Sequence, residues 1–253
     1  EEDCAVSFDH AVSRLGWCVQ NFRGYQKKIL RDAFFEAFET YETGCAPVIQ
    51  ELNSGVRPER QTELLERAAE AMLDELSAGW EKKNDMEDEK VVLAIFFVPM
   101  VRKLQLPVSE EFVSLLQKKW VERYPKSPFY LGDYESISGG FRKKFLGLCF
   151  ITTAVCQELG KPDDCAELTA FRAFRDGYLA AQPDGEALIR EYYNIAPGIV
   201  TCINTCSDRH ASYERIREQY LTPCYEDLLA GRNADCKTRY VQMVRDLERK
   251  YLN

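Results

Sequence analysis

Three short segments within residues 149–197 combine thiols, hydroxyls, guanidinium groups and phenols. The first reads CFITTAVC, the second FRAFRD and the third EYYNIAP. Thiols act as nucleophiles or metal ligands, guanidinium groups bind carboxylate or phosphate, and tyrosines hydrogen-bond or stack on ligands. We therefore expect the functional surface to lie in this stretch. Its candidate ligand-binding residues are Thr153, Arg175, Asp176, Tyr192 and Tyr193.

The cysteines of the first segment allow two interpretations. If the segment is helical, Cys149, Thr153 and Cys156 share one face, because they are spaced at i, i+4 and i+7. Such a face of small residues favours close helix packing, whereas a nucleophilic thiol needs a base placed against it. The only histidines, His10 and His210, are remote in sequence. We therefore predict no catalytic residue, and keep Cys149 and Cys156 as the alternative candidates.

The spacing of the ten cysteines does not favour a metal centre. A structural zinc site usually shows two close pairs of ligands. The closest pair here is Cys202 and Cys206, with no second close pair, so we predict neither a metal site nor a cofactor. A chain of this length has no need of disulfides, and we expect reduced, mostly buried thiols.

The second segment is expected to be a helix covered on much of its surface, so that its arginines need partners. Arg172 and Asp176 are spaced at i, i+4 and are predicted to pair. Arg175 is then left to contact a carboxylate elsewhere or a bound anion. We further predict that Arg175 and Asp176 make polar contacts to the first or third segment. Asp163 and Asp164 are predicted to cap this helix at its start.

The tyrosines of the third segment point in different directions. Neighbouring side chains on a helix lie about 100° apart, so Tyr192 and Tyr193 cannot fill one site. One is expected to pack while the other hydrogen-bonds or stacks on a ligand. Pro197 is expected to kink or restart the chain.

The periodicity of the chain predicts an all-α fold, a multi-helix orthogonal or bundle-like assembly with little or no β-sheet. Apolar residues recur at helical spacing in Pro58–Ser77, after Ser109, and in the last helix, for which Asn233 is the predicted N-cap. Only Phe145–Val155 contains enough β-branched and aromatic residues to suggest a strand.

Two breakpoints divide this helical pattern. Residues Glu81–Glu89 resemble a charged linker, and Pro125–Gly140 is rich in loop-forming residues. We therefore predict an N-terminal helical region, 1–83, and a second region, 84–253, with a single composite domain as the alternative.

Composition and charge narrow the classes of partner. Of the 253 residues 45% are apolar and 29% charged, typical of a globular protein. The longest apolar run, Val91–Met100, is too short to cross a bilayer, and no cationic leader is visible. The net charge of −8 argues against broad nucleic-acid or anionic-membrane binding. We expect a cytoplasmic protein without membrane contact.

The order of the three segments resembles the CFI-box domain, a module usually found at the C-terminal end of bacterial proteins. The likeness covers Cys149–Pro197, about one fifth of the chain. The chain departs from the family pattern at Thr152, where alanine is usual, and at Cys156, where tyrosine is common. The resemblance implies a bacterial cytoplasmic origin and names no reaction. The matching positions are Cys149, Phe150, Ile151, Thr153, Ala154, Phe174, Arg175, Asp176, Tyr192, Tyr193 and Pro197.

These observations predict a non-catalytic binding or interaction module. Its partner is an unidentified protein or a small-molecule ligand. The alternative is a thiol-dependent enzyme, or a protein that binds a small anion or a metal, using Cys149 or Cys156 and the region of Arg175.

Overall fold

Helices make up most of the residues that a computed structural model describes, 2–82, 84–142, 149–205 and 208–253. These ranges contain no β-strand, which confirms the predicted all-α class. The stretch considered as a strand is helical from Phe150 onward, and its residues 145–148 lie outside the described ranges. Across the same ranges, no helix has both the length and the apolar character needed to cross a bilayer.

Contacts group the described residues into two compact units. The first is built mainly from residues 2–28 and 33–139, and the second from 29–32 together with most of the chain after Gly139. This division falls beside the predicted breakpoint at Pro125–Gly140. Compact units are not the same as independently folding domains, so the predicted regions 1–83 and 84–253 stay a prediction.

The described residues of the first unit contain seven α-helices, the larger part of an eighth that ends at Arg142, and two short 3₁₀ turns, Tyr25–Lys28 and Pro58–Arg60. A π-helical turn, Leu93–Phe97, joins the fifth helix to the sixth. The α-helices are α1 Glu2–Leu15, α2 Trp17–Gln20, α3 Phe34–Gly55, α4 Gln61–Ala78, α5 Asp85–Val92, α6 Val98–Lys103, α7 Ser109–Arg123 and α8 Tyr134–Arg142.

Apolar stripes read from the sequence form the core of this unit. Helix α1 packs on α3 and α4, and α4 packs on α7. On α4, Leu65, Ala68, Met72 and Leu76 are fully buried, as their spacing predicts. On α7, Trp120 is fully buried, and its indole N–H donates to the Ser127 carbonyl at 2.7 Å.

The second half of the predicted charged linker Glu81–Glu89 is helical instead, and its residue 83 lies outside the described ranges. Helix α5 begins at Asp85, and the side chain of Glu89 is completely buried. Its carboxylate accepts hydrogen bonds from Arg23 Nε at 2.6 Å and from Trp80 Nε1 at 2.7 Å. A buried carboxylate is stable only with such partners. These hydrogen bonds therefore allow Glu89 to lie in the interior.

The second unit contains the three chemically interesting segments. Two of its helices run into π-helical turns, Phe174–Leu179 after the tenth helix and Arg217–Leu221 after the twelfth. Its α-helices are α9 Phe150–Glu158, α10 Ala166–Ala173, α11 Gly185–Thr205, α12 Arg209–Ile216, α13 Thr222–Leu229 and α14 Asn233–Tyr251.

The predicted apolar stripe of α14 comprises six residues, of which Tyr240 and Tyr251 are half-buried and the others are buried: Cys236, Met243, Val244 and Leu247. The predicted N-cap is displaced by one residue. Asn233 is the first helical residue, and Arg232 occupies the cap position without a capping side-chain hydrogen bond.

Helix α11 continues through Pro197, so the chain does not restart there, whereas the alternative of a kink stays a prediction. The Thr201 hydroxyl donates to the Pro197 carbonyl at 2.9 Å. One residue further on, Gly198 lies against the segment 29–32, and a Cβ atom at this position would overlap the Ile29 carbonyl oxygen. Glycine is therefore required where this segment crosses the helix.

Candidate functional site

The three segments of the sequence meet at the guanidinium group of Arg175, which is only 9% exposed. Its Nε and Nη2 donate to the two carboxylate oxygens of Asp176 at 2.6 and 2.8 Å. Its Nη1 lies 3.0 Å from the Tyr193 hydroxyl and 3.7 Å from the Cys149 thiol. The predicted polar contacts to the first and third segments are confirmed for Arg175, whereas those of Asp176 stay a prediction.

The predicted pairing of Arg172 with Asp176 is wrong. Arg172 donates instead to the Asp163 carboxylate at 2.7 Å and to its carbonyl at 2.8 Å. The physical reason is the π-helical turn that begins at Phe174. In a π-helix, hydrogen bonds join i to i+5, so the α-helical i, i+4 relation assumed for the pair does not hold across the turn.

The capping prediction for this helix is also wrong. Helix α10 begins at Ala166, and the cap position belongs to Cys165, without a capping side-chain hydrogen bond. Asp163, predicted as one of the caps, pairs with Arg172. The ion pair with a guanidinium group thus replaces a hydrogen bond to the backbone.

The Arg175–Asp176 pair stabilises both charges. Hydrogen bonding to the adjacent carboxylate raises the pKa of Arg175, and the same contact lowers the pKa of Asp176. The Asp176 side chain is 66% exposed, so solvent weakens this effect. The arginine is buried and already engaged, which disfavours its use as a receptor for a free anion.

Tyr192 takes the place of a capping side chain for α9. The first N–H groups of a helix lack partners within it, and the Ile151 N–H donates to the Tyr192 hydroxyl oxygen at 2.9 Å. The Tyr240 hydroxyl lies 3.4 Å from that of Tyr192 and 3.1 Å from the Thr152 hydroxyl. Tyr240 was not predicted as a site residue, although it belongs to the apolar stripe of α14.

Thr153 does not join this network. Its hydroxyl oxygen is buried and has no hydrogen-bond partner among the described residues. The backbone N–H of Thr153 donates to the Cys149 carbonyl at 2.7 Å, the first hydrogen bond of α9. Thr153 is one of the predicted ligand-binding residues. Among the described hydrogen bonds, however, its hydroxyl contacts neither Arg175 nor the tyrosines.

A small apolar cavity lies beside the network, with a volume of about 60 Å³. Arg175, Cys149 and the two hydroxyl-bonded tyrosines, Tyr192 and Tyr240, contribute to its wall. An ion pair between the partly exposed side chains of Glu191 and Arg245 also lines the cavity. In this pair Arg245 Nη2 donates to Glu191 Oε2 at 2.7 Å. The rest of the lining is aliphatic or aromatic, from the π-helical turn, α10, α11 and α14: Phe171, Phe174, Leu179, Leu188, Ile189, Val241 and Val244.

Cys149 has the surroundings of a structural thiol. Burial raises the pKa of Cys149 above its ordinary value, although the Arg175 charge acts in the opposite direction. Neither histidine supplies a base, since His10 contacts Glu51 and His210 contacts Glu158. A thiol that stays protonated, without a base beside it, is a poor nucleophile.

Cys156 lies at the opposite end of α9 in a different environment. Its sulfur is 3.9 Å from the Cys165 sulfur and 3.9 Å from a carboxylate oxygen of Glu167. Burial, together with Cys165, raises the pKa of Cys156 to about 12. The two candidate cysteines therefore do not form one site. The eight cysteines with described side chains are free thiols, and all except Cys165 are buried, as predicted for them.

Comparisons with known proteins leave the family open. No family model, curated protein or solved structure matches this chain. The resemblance of Cys149–Pro197 to the CFI-box domain accordingly stays a prediction.

Truncating the two arginines is expected to have unequal effects. Arg175→Ala removes a buried guanidinium group together with its hydrogen bonds and leaves a gap beside the cavity. We therefore expect it to lower the free energy of unfolding by about 2 kcal/mol. Arg172→Ala removes a contact to the exposed Asp163 and should cost less than about 1 kcal/mol. Urea denaturation of both variants provides the measurement, and equal losses would contradict the assigned role of Arg175.

Alkaline unfolding is expected to report on Tyr240. Burial raises the pKa of Tyr240 in the folded chain above its unfolded value of about 10. Its contribution to stability is complete below that unfolded value and is lost as the pH rises toward the folded pKa. Tyr240→Phe cannot ionise, so its stability should fall less steeply above pH ~10 than that of the wild type. Tyr130→Phe, at a 52% exposed position, is the control.

Cys149 is expected to react slowly with electrophiles. Iodoacetamide should modify it more slowly in the native chain than in the urea-unfolded chain, from neutral to mildly alkaline pH, because burial favours the protonated thiol and blocks access. Peptide mass spectrometry after timed quenching measures both rates. Faster modification in the native chain would instead identify an activated nucleophile.

Proposed function

We propose that this chain is a non-catalytic interaction module whose second unit receives one apolar side chain from a protein partner. The observation that carries the proposal is the apolar cavity beside Arg175. Interaction sites commonly use an apolar anchor that fills a pocket with a polar rim. Here the Glu191–Arg245 ion pair supplies such a rim.

The size of the cavity favours a side chain over a whole small molecule. Ligand pockets for drug-sized molecules are about 300–1,000 Å³, and a dry protein cavity that binds benzene is about 150 Å³. The cavity here, at about 60 Å³, suits a branched aliphatic group such as the end of valine or leucine. The rest of the partner would then lie on the surface around the rim.

The polar groups near the cavity support binding rather than catalysis. Arg175 already contacts Asp176, Tyr193 and the Cys149 sulfur, so its hydrogen bonds serve the fold. The Tyr192 hydroxyl accepts the Ile151 N–H in the same way. An activated nucleophile requires a base, and the described contacts of Cys149 include none.

The finer expectations from the sequence belong to the same proposal. Membership of the CFI-box family, a bacterial origin and a cytoplasmic location rest on the resemblance of the three segments and on composition. They are compatible with an interaction module, since they require no catalytic group.

Filling the cavity should weaken binding of the partner. Peptides selected from a random displayed library on the full chain should contain a valine or leucine anchor. Replacing that anchor with alanine should weaken binding about 10–100-fold, the value of burying one such side chain. Val241→Phe places a ring at the cavity wall and should cause a similar loss, measured by fluorescence anisotropy of the labelled peptide.

The control is an enlargement of an apolar side chain away from the cavity. Leu229 is 71% exposed on α13, so Leu229→Phe changes the same kind of group without filling the cavity. Binding should be unaffected in this variant. Selection that yields no apolar anchor, or peptides that bind Val241→Phe as tightly as the wild type, would show that the proposal is wrong.

A further inference from the structure

We propose that Cys156, Cys165 and Glu167 form a binding site for a thiophilic divalent cation such as zinc. This site lies apart from the apolar cavity and goes beyond the proposed interaction function. Two thiolates and a carboxylate are ligands that zinc accepts. The sequence does not indicate this set of ligands, because eight residues separate the two cysteines and the third ligand is neither a cysteine nor a histidine.

The three ligand atoms are already spaced as one metal ion requires. The two sulfurs are 3.9 Å apart, and the Cys156 sulfur is 3.9 Å from Glu167 Oε2. All three atoms lie within 4.8 Å of one another. Two thiolates bound to one tetrahedral zinc at about 2.3 Å are separated by about 3.8 Å. Binding therefore needs only small side-chain shifts.

Secondary structure holds the ligands in this arrangement. Cys156 lies in the last turn of α9, Cys165 is the cap residue of α10, and Glu167 is in the first turn of α10. The connecting residues are fixed by hydrogen bonds from the Lys161 N–H to the Cys156 carbonyl at 2.8 Å and from the Cys165 N–H to the Pro162 carbonyl at 3.1 Å. A site built on two helix ends is largely preorganised.

The local charges also suit a cation. The C-terminal end of a helix favours positive charge and the N-terminal end favours anionic side chains. Cys156 lies near the C-terminal end of α9, where a cation is favoured. Cys165 and Glu167 lie at the N-terminal end of α10, where negative charge is favoured. Lys161 Nζ already contacts Glu167 Oε2, the oxygen nearest the Cys156 sulfur, at 2.5 Å. With an ion bound, this ammonium would orient the carboxylate and offset the remaining negative charge.

Two of the three ligands are partly exposed, so an ion can reach the site from solvent. Cys156 is buried, whereas Cys165 is half-buried and the Glu167 side chain is 28% exposed. Three protein ligands on a partly open site leave the fourth tetrahedral position for water or for another group.

Metal titration of the reduced full chain tests this site. Protein stripped with a chelator should bind one equivalent of Co²⁺ with a thiolate-to-metal charge-transfer band, which one equivalent of Zn²⁺ should remove. Cys165→Ser should lower zinc affinity by at least ~100-fold, the upper limit for losing an outer-shell partner. Serine is a favoured residue at a helix cap, so this variant should retain its fold. Glu167→Gln should weaken binding while one thiolate pair remains.

Two control variants separate the site from general effects of charge and thiol number. Glu158→Gln removes a carboxylate from α9 that contacts Arg209 instead of the thiols. Cys202→Ala removes a thiol that donates to the Tyr251 carbonyl. Both should bind zinc like the wild type.

Two results would overturn the proposal. One is the absence of the charge-transfer band in fully reduced wild-type protein. The other is a band of unchanged strength in Cys165→Ser. If unreduced protein also yields a peptide in which Cys156 and Cys165 are joined by a disulfide, the failure of the reduced protein to bind metal would identify a redox pair instead.

Discussion

The second unit depends on how it accommodates one buried cation. Leaving a guanidinium group without a counter-charge or hydrogen bonds in the interior would be strongly destabilising. Arg175 meets this constraint with its own sequence neighbour, because Asp176 engages two of its nitrogens and keeps the carboxylate at the surface. The third nitrogen contacts Cys149 and Tyr193. A local ion pair thus allows one side chain to join the start of α9 to α11.

The π-helical turn determines which side chains take part in this arrangement. An additional residue in the turn changes the direction of the side chains that follow, and such turns are frequent at functional sites. Arg175 and Asp176 lie within the turn, whereas Arg172 precedes it and pairs with Asp163. The same turn contributes Leu179 to the wall of the cavity. One departure from α-helical geometry therefore positions both the polar network and the apolar wall.

Structural features that have one dominant physical cause could be predicted from the sequence. The apolar stripes of α4, α7 and α14 follow from burial of one helix face, and all three are present. Errors arose where two local interactions compete, as for Asp163, which pairs with an arginine instead of capping. The charge of Glu89 favours a linker in the sequence, and its burial depends on tertiary hydrogen bonds from Arg23 and Trp80. The cavity and the role of Tyr240 depend on tertiary contacts that no local pattern specifies.

Helix α9 places its two terminal thiols in electrostatically opposite surroundings. Cys149, at its start, contacts the fixed cation of Arg175, which would repel a metal ion and already satisfies the sulfur. Cys156, in its last turn, contacts a second thiol and the Glu167 carboxylate. Deprotonation there concentrates more negative charge than Lys161, which contacts the same carboxylate, can balance alone. The two cysteines share a helix face because of their i, i+7 spacing, but about two turns of helix place them too far apart to act together. Their neighbours also give the two thiols different chemistry.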